Sequence, residues 1–409
     1  MKVLMLSWEY PPHNVGGLGK HVTELVPALA RAGVEVHLIT PRWVDAMGEE
    51  VIQETDVTST GRLIPPTLIH RVAPPVADLG DFFTGAWRTN VSIEQFARPL
   101  LTTGNYDVIH VHDWLVAFSG IPLKHACNVP LVATIHATEY GRGRGKLNGE
   151  MPRAIHDVEW WLTYEAWRIV CCSEFMSNEI GTAFHTPSDK IDIVPNGVDT
   201  TRFDALQETD LTEFRRDYAL DHESLIFYVG RIVQEKGVHV LLDAMPAILE
   251  RRPNAKLVIA GTGGSLAEMR ERSTLLGLDE KVHFTGFISD DDRDALMTVA
   301  DVAVFPSLYE PFGITALEAM AARTPVVVAD VGGLSEVVQN HVTGITVHTG
   351  DIGSLVWGIL HTLDNPAWAQ MRVANAYEAL RSKFNWDTIA VQTRAVYQQV
   401  IDERTATTW

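Results

Sequence analysis

The sequence predicts an α/β protein made of two doubly wound, parallel-sheet domains, and three observations carry that prediction. Short β-branched runs alternate with segments of helical period along the whole chain. Most of those runs are continuously apolar, so helices must cover both faces of each sheet. The length of 409 residues corresponds to two or three domains at roughly 150 residues each, which suits two sheets better than one giant one.

Six strands are expected in the first half: Val3–Leu6, Val34–Ile39, Val108–Val111, Leu131–Ile135, Ile169–Cys172 and Ile191–Val194. Six more are expected in the second: Leu225–Val229, Leu257–Ala260, Val282–Phe284, Val302–Phe305, Pro325–Ala329 and Ile345–Val347. Between the first two strands, Leu18, Val22, Leu25, Val26 and Leu29 share one helix face; Ala295, Leu296, Val299 and Ala300 do the same before Val302. Pro195-Asn196-Gly197-Val198-Asp199 punctuates the chain and sets the domain boundary. The division is therefore 1–199, 200–380 and a terminal helix within 381–409, with residues 200–222 read as linker plus a short helix.

Composition narrows the function. With 46% hydrophobic and 21% charged residues, the chain is an ordinary globular protein and neither disordered nor a disulfide scaffold. A net charge of −19 excludes broad nucleic-acid binding and adhesion to an anionic membrane, while leaving room for a local basic site. Cys127, Cys171 and Cys172 show no zinc spacing or paired framework and read as reduced thiols. Met1 to Leu6 is too short for a signal-peptide core, and no run approaches the length of a membrane span, so a cytoplasmic location with at most peripheral membrane contact is expected.

In open α/β folds, ligands sit at the carboxyl ends of strands, so polar residues there are the candidates. Gly16-Gly17-Leu18-Gly19 opens the first helix and can present free N–H groups to phosphate, or be a turn. Gly230-Arg231 and Lys236-Gly237 follow a strand with two cations and two glycines, a set that suits a diphosphate. Glu310-Pro311-Phe312-Gly313-Ile314-Thr315 leads into a helix carrying Glu318, and each carboxylate can accept from two vicinal hydroxyls or serve only the helix. His110, His112 and Asp113, with His136, end two first-half strands; the three histidines could suggest zinc, but no third ligand at short spacing supports it. Asp290-Asp291-Asp292 reads as a helix first turn, and Glu139 to Arg153 as a basic loop bearing Arg142, Arg144, Lys146 and Arg153.

Taken together, the eight-residue step from Glu310 to Glu318, the Gly230–Gly237 stretch, Gly16–Gly19, His112-Asp113-Trp114, Pro195–Asp199 and Gly332-Gly333 resemble retaining GT-B glycosyltransferases of family four, including the glycogen-synthase-like members. That resemblance implies two Rossmann-like domains facing across a cleft, with the donor mainly on the second, the acceptor mainly on the first, and the terminal helix within 381–409 crossing back onto the first. It assigns His136, Arg231, Lys236 and Glu310 to catalysis, with the two cations neutralising the diphosphate, Glu310 on the donor sugar and His136 on the transferred sugar. It assigns Gly17, Gly313, Ile314 and Thr315 to phosphate, Glu318 to ribose, Phe287 and Ile288 to the base, and Asp113 to the neighbourhood of His136. It implies no metal and no cofactor beyond the nucleotide-sugar donor.

The function this implies is a retaining hexosyltransferase that moves a sugar, foremost glucose from UDP-glucose, to a glycan or lipid-linked acceptor in envelope or exopolysaccharide synthesis. An ADP-glucose-dependent glucan synthase and a nucleotide-sugar epimerase are the alternatives. The chain looks short for a glycogen synthase. A silent binding protein would lack a site cation or glutamate, and here all four are present.

Overall fold

The computed structural model describes residues 1–14, 16–43, 48–52, 63–75 and 80–409. The chain forms two compact units, Met1–Asn196 with Trp386–Trp409, and Gly197–Asn385.

In chain order the first unit contains β1 (Lys2–Leu6), α1 (Gly17–Arg31), β2 (Glu35–Pro41), β3 (Glu49–Ile52), β4 (Thr67–Val72), α2 (Phe82–Thr103) and β5 (Val108–His112). It continues with α3 (Ala117–Cys127), β6 (Leu131–Ile135), α4 (Glu139–Arg142), α5 (Glu150–Glu165), β7 (Arg168–Cys171), α6 (Glu174–Phe184) and β8 (Ile191–Ile193). The second unit contains α7 (Thr201–Gln207), α8 (Thr212–Arg216), β9 (Ser224–Val229), α9 (Val238–Arg251), β10 (Ala255–Ala260), α10 (Leu266–Leu275), β11 (Val282–Gly286) and α11 (Asp290–Val299). Then follow β12 (Val302–Phe305), α12 (Ile314–Ala321), β13 (Val326–Ala329), α13 (Leu334–Val337), β14 (Ile345–Val347), α14 (Ile352–Asp364) and α15 (Pro366–Lys383); α16 (Trp386–Thr405) closes the first unit.

The second sheet runs β11-β10-β9-β12-β13-β14, all parallel. That is the 3-2-1-4-5-6 order of a doubly wound dinucleotide-type sheet. The first sheet runs β3-β4-β2-β1-β5-β6-β7-β8 and keeps the same order around β1 and β5. Only β3 among these strands is antiparallel, on β4 at the edge.

All twelve expected strands form. The chain adds β3 and β4, and residues 200–222 carry two short helices, α7 and α8, where linker plus one short helix is expected. The terminal helix starts at Trp386 and packs within the first unit. Trp386, Ile389, Val396, Tyr397 and Val400 join Val22, Leu25, Val26 and Leu29 of α1 in one core. Fully burying such a side chain contributes about 1.5–3 kcal/mol, so this face fixes the helix. Ser173, Ser289 and Asp351 cap α6, α11 and α14 by accepting from backbone amides of the first turn. The three cysteines are free, with Cys171 and Cys172 buried. Among the described residues, no helix is long and apolar enough to cross a membrane.

Candidate active site

Strand order reverses between β9 and β12 in the second unit and between β1 and β5 in the first. Loops leaving the carboxyl ends of those strands bound the crevice in which such sheets hold ligands. The sequence-predicted residues fall in two sets, on these loops and the helices they open, with Phe287 and Ile288 after β11 and His136 after β6.

In the second unit, the loop after β9 lies against the loop after β12. Gly237 has φ of +68°, and a Cβ there would stand 1.9 Å from the Pro306 carbonyl oxygen, so only glycine permits the approach. The Glu235 carbonyl accepts from the amides of Leu308 (2.8 Å) and Tyr309 (3.2 Å). This clamp brings Lys236 Nζ to 2.7 Å from Glu310 Oε2, with Ser307 Oγ donating to the same oxygen at 3.3 Å. Arg231 is 45% exposed at its side chain and has Glu235 at 3.5 Å. The opposite strand ends look different: a cavity of about 800 Å³ lined by Arg252, Asp301, Arg323 and Tyr377 contains none of these residues.

Gly313 N-caps α12 at φ +110°, so Ile314 and Thr315 form its first turn and remain half-buried. The Glu310 carbonyl accepts from the Gly333 amide at 2.9 Å, which seats the Gly332-Gly333 turn beside this loop. Glu318 sits one helix turn further and is 2% exposed. Its Oε1 accepts from Arg202 Nη2 at 2.7 Å, with Arg293 at 3.8 Å. Buried Asp294 binds both guanidiniums, Arg202 at 3.0 Å and Arg293 at 2.8 Å. Sequence reading missed this four-residue network because Arg202 and Arg293 come from α7 and α11 and meet Glu318 only through the fold. Phe287, 80% exposed, and half-buried Ile288 follow β11, which leaves an aromatic face open for stacking.

In the first unit, the start of α1 already holds an anion of the protein's own. Glu9 Oε2 accepts from the Gly16 amide (3.0 Å) and the Gly19 amide (3.2 Å). A Cβ on Gly19 would stand 2.7 Å from that oxygen, so the glycine run makes room for Glu9 as well as for any phosphate at exposed Gly17. Glu9 carried no motif and was not foreseen.

Asp113 follows β5 at φ +60°, an uncommon conformation for a residue with a Cβ. Its Oδ1 accepts from the His136 amide at 2.7 Å. Burial raises the Asp113 carboxyl to about 7, against the lowering effect of Arg142 and of the His136 amide. His136 Nε2 lies 3.1 Å from His112 Nδ1. Burial holds His136 and His112 well below the usual imidazole range, so both rings are neutral at pH 7. His110 is fully engaged, its Nδ1 with Tyr397 Oη (2.6 Å) and its Nε2 with Thr134 Oγ1 (2.7 Å). The third histidine that short spacing could not supply comes from α1: His21 lies beside His112 and His136.

The expected basic loop is shorter than read. Arg142 ends α4 and pairs with Glu139 at 3.8 Å, and Arg153 lies on α5; only Arg144 and Lys146 are on the exposed connection. Asp290, Asp291 and Asp292 form the first turn of α11 behind Ser289.

With this geometry in place, comparison defines the class. Residues 210–379 match the glycosyl transferases group 1 model, and residues 15–202 match the glycosyltransferase family 4 model. The chain belongs to the GT-B glycosyltransferases of family 4 type. It is 40% identical over 400 residues to an uncharacterized glycosyltransferase of Methanocaldococcus jannaschii, covering 97% of this chain and 98% of that one. It is 36% identical over 408 residues to a glycogen synthase of Mycobacterium tuberculosis, covering 97% and 94%. Among solved structures, sucrose-phosphate synthase of Thermosynechococcus elongatus superposes with a TM-score of 0.79 at 25% identity, covering 98% and 99%. Anabaena HepE, solved with UDP and glucose, gives 0.73 at 20% identity, covering 98% and 100%.

Proposed function

We propose that this chain is a retaining glucosyltransferase that takes glucose from a nucleoside diphosphate glucose and delivers it to a glycan acceptor. The observation that carries the reading is the Lys236–Glu310 contact at the strand-order reversal of the second unit. It places a cation for a leaving diphosphate directly beside a carboxylate that can hold sugar hydroxyls.

The chemistry follows from charge. The acceptor oxygen bonds to C1 of the sugar while the C1–O bond to phosphate breaks on the same face, and a phosphate oxygen takes the acceptor proton. Negative charge grows on the diphosphate. Lys236 has three N–H donors, so one can stay on Glu310 while others face phosphate. Arg231, largely exposed, adds a planar fork of donors. Fixed cations at the developing charge lower the barrier without a side-chain nucleophile. Glu318, paired with Arg202 and Arg293, is our candidate for ribose; Gly17, Gly313, Ile314 and Thr315 are candidates for phosphate, and Phe287 and Ile288 for the base. His136 is our candidate for the transferred sugar, with Asp113 holding its backbone amide beside it.

Glucose is favoured because a glycogen synthase is a 36% identical relative. That relative also removes the argument from length, since the match spans 94% of it. UDP-glucose with an envelope or lipid-linked acceptor is one reading, and ADP-glucose with a glucan acceptor is the other. The test is a panel of UDP-, ADP- and GDP-sugars, read as ligand-dependent rise in Tm and as release of nucleoside diphosphate. Stabilisation by ADP-glucose alone selects the glucan synthase. Epimerised donor with no transferred sugar would contradict both.

A further inference from the structure

We propose that His21, His112 and His136 form a binding site for a divalent transition-metal ion of the zinc class, with Asn196 orienting His21. One ring nitrogen from each histidine lies within 4.8 Å of the other two. The rings are packed together, with centroid separations of 4.8 Å for His21–His136 and 5.4 Å for both His21–His112 and His112–His136.

Two of the rings carry a buried nitrogen without a hydrogen-bond partner. His21 is 4% exposed and His112 is 0% exposed, and the Nε2 of each is buried without a hydrogen-bond partner. Leaving a buried polar atom unpaired costs about 1–3 kcal/mol, so a ligand that satisfies both is favoured. His21 Nδ1 lies 2.5 Å from Asn196 Oδ1. An oxygen acceptor there places the proton on Nδ1 and leaves Nε2 as a lone pair, the arrangement that orients a metal-bound imidazole. Asp113 Oδ1 accepts from the His136 backbone amide and so fixes the main chain that carries the third ring. His110, though adjacent, is excluded because both its nitrogens are taken.

The donor set is right for the ion. Three imidazoles with an open fourth position form a known zinc coordination type, with bonds of about 2.0–2.1 Å. Tetrahedral bonds of that length set the nitrogens about 3.3–3.4 Å apart, so the widest separation here must close by about 1.5 Å through ring rotation. An ion held here occupies His136, so it would inhibit transfer rather than assist it; this last consequence alone rests on the function proposed above.

The test is equilibrium dialysis of the full chain against Zn2+ alone, with Co2+ absorption as a coordination probe. About one tightly held ion per chain is expected, together with the intense visible bands of low-coordinate Co2+. His21→Ala and His112→Ala should each weaken binding at least tenfold while far-UV circular dichroism stays unchanged. The surface variant His341→Ala/His361→Ala should retain it. Asn196→Ala, which keeps all three ligands, should weaken binding less than His21→Ala does and serves if the latter fails to fold. Equal binding by wild type and His112→Ala, loss of the ion in the surface variant, or octahedral-type Co2+ spectra would overturn the site. None of these readouts depends on glycosyl transfer.

Discussion

Lys236 Nζ stands 2.7 Å from Glu310 Oε2, and this contact joins the loop after β9 to the loop after β12. If Lys236 serves the leaving diphosphate, Lys236→Ala should lower kcat roughly 10²–10³-fold, the usual effect of removing one electrostatic stabiliser. Far-UV circular dichroism should be unchanged. Turnover within threefold of wild type would remove Lys236 from the mechanism.

Gly237→Ala should damage stability and activity together. The αL backbone costs about 1 kcal/mol for alanine, and the Cβ would meet the Pro306 oxygen at 1.9 Å. A loss of about 2 kcal/mol or more is expected by urea denaturation. The Leu308 and Tyr309 bonds to Glu235 should loosen, seen as faster amide exchange at those two positions.

The Arg202–Glu318 pair should be costly to break from one side only. Arg202→Met leaves Glu318 and Asp294 buried beside a single guanidinium, and about 2–3 kcal/mol should be lost, given that Arg202 is itself partly exposed. Adding Glu318→Gln should restore a substantial part. A double-mutant cycle by urea unfolding measures the coupling, and additivity of the two changes would show that Arg202 and Glu318 do not interact energetically.

Lys190 supplies a pH test. Its Nζ donates to the carbonyls of Thr163 and Tyr164, 2.8 Å each, at the end of α5. Burial lowers its pKa from 10.5 to about 8. The folded state therefore binds fewer protons than the unfolded chain between about pH 8 and 10.5, and this group makes stability rise with pH across that window. Lys190→Met should remove that contribution, leaving a flatter or falling curve from pH 8 upward. An unchanged slope would contradict the assignment.

Much of the fold was legible because buried parallel strands read as apolar runs, and all twelve such runs form strands. The two missed strands lack that signal. β3 offers Glu49 and Glu50 before two apolar residues, and β4 buries His70 and Arg71, which read as polar until Glu49 and Glu50 pair with them across the edge. The same contrast holds in the site. Arg231, Lys236, Glu310 and Gly313 stand in short motifs after strands, where local sequence carries the meaning. Glu9, His21, Arg202 and Arg293 act through contacts that only the fold creates. His21 shows the limit best: its partners His112 and His136 lie on other elements, so no spacing rule could assemble the three.

The most direct test of the account is proton NMR of the full-length chain incubated with UDP-glucose or ADP-glucose and an oligoglucan acceptor. The account predicts release of nucleoside diphosphate from at least one donor and an α-anomeric signal on the transferred glucose, the configuration of the donor. A β-anomeric product, or no nucleoside diphosphate released from either donor, would contradict it.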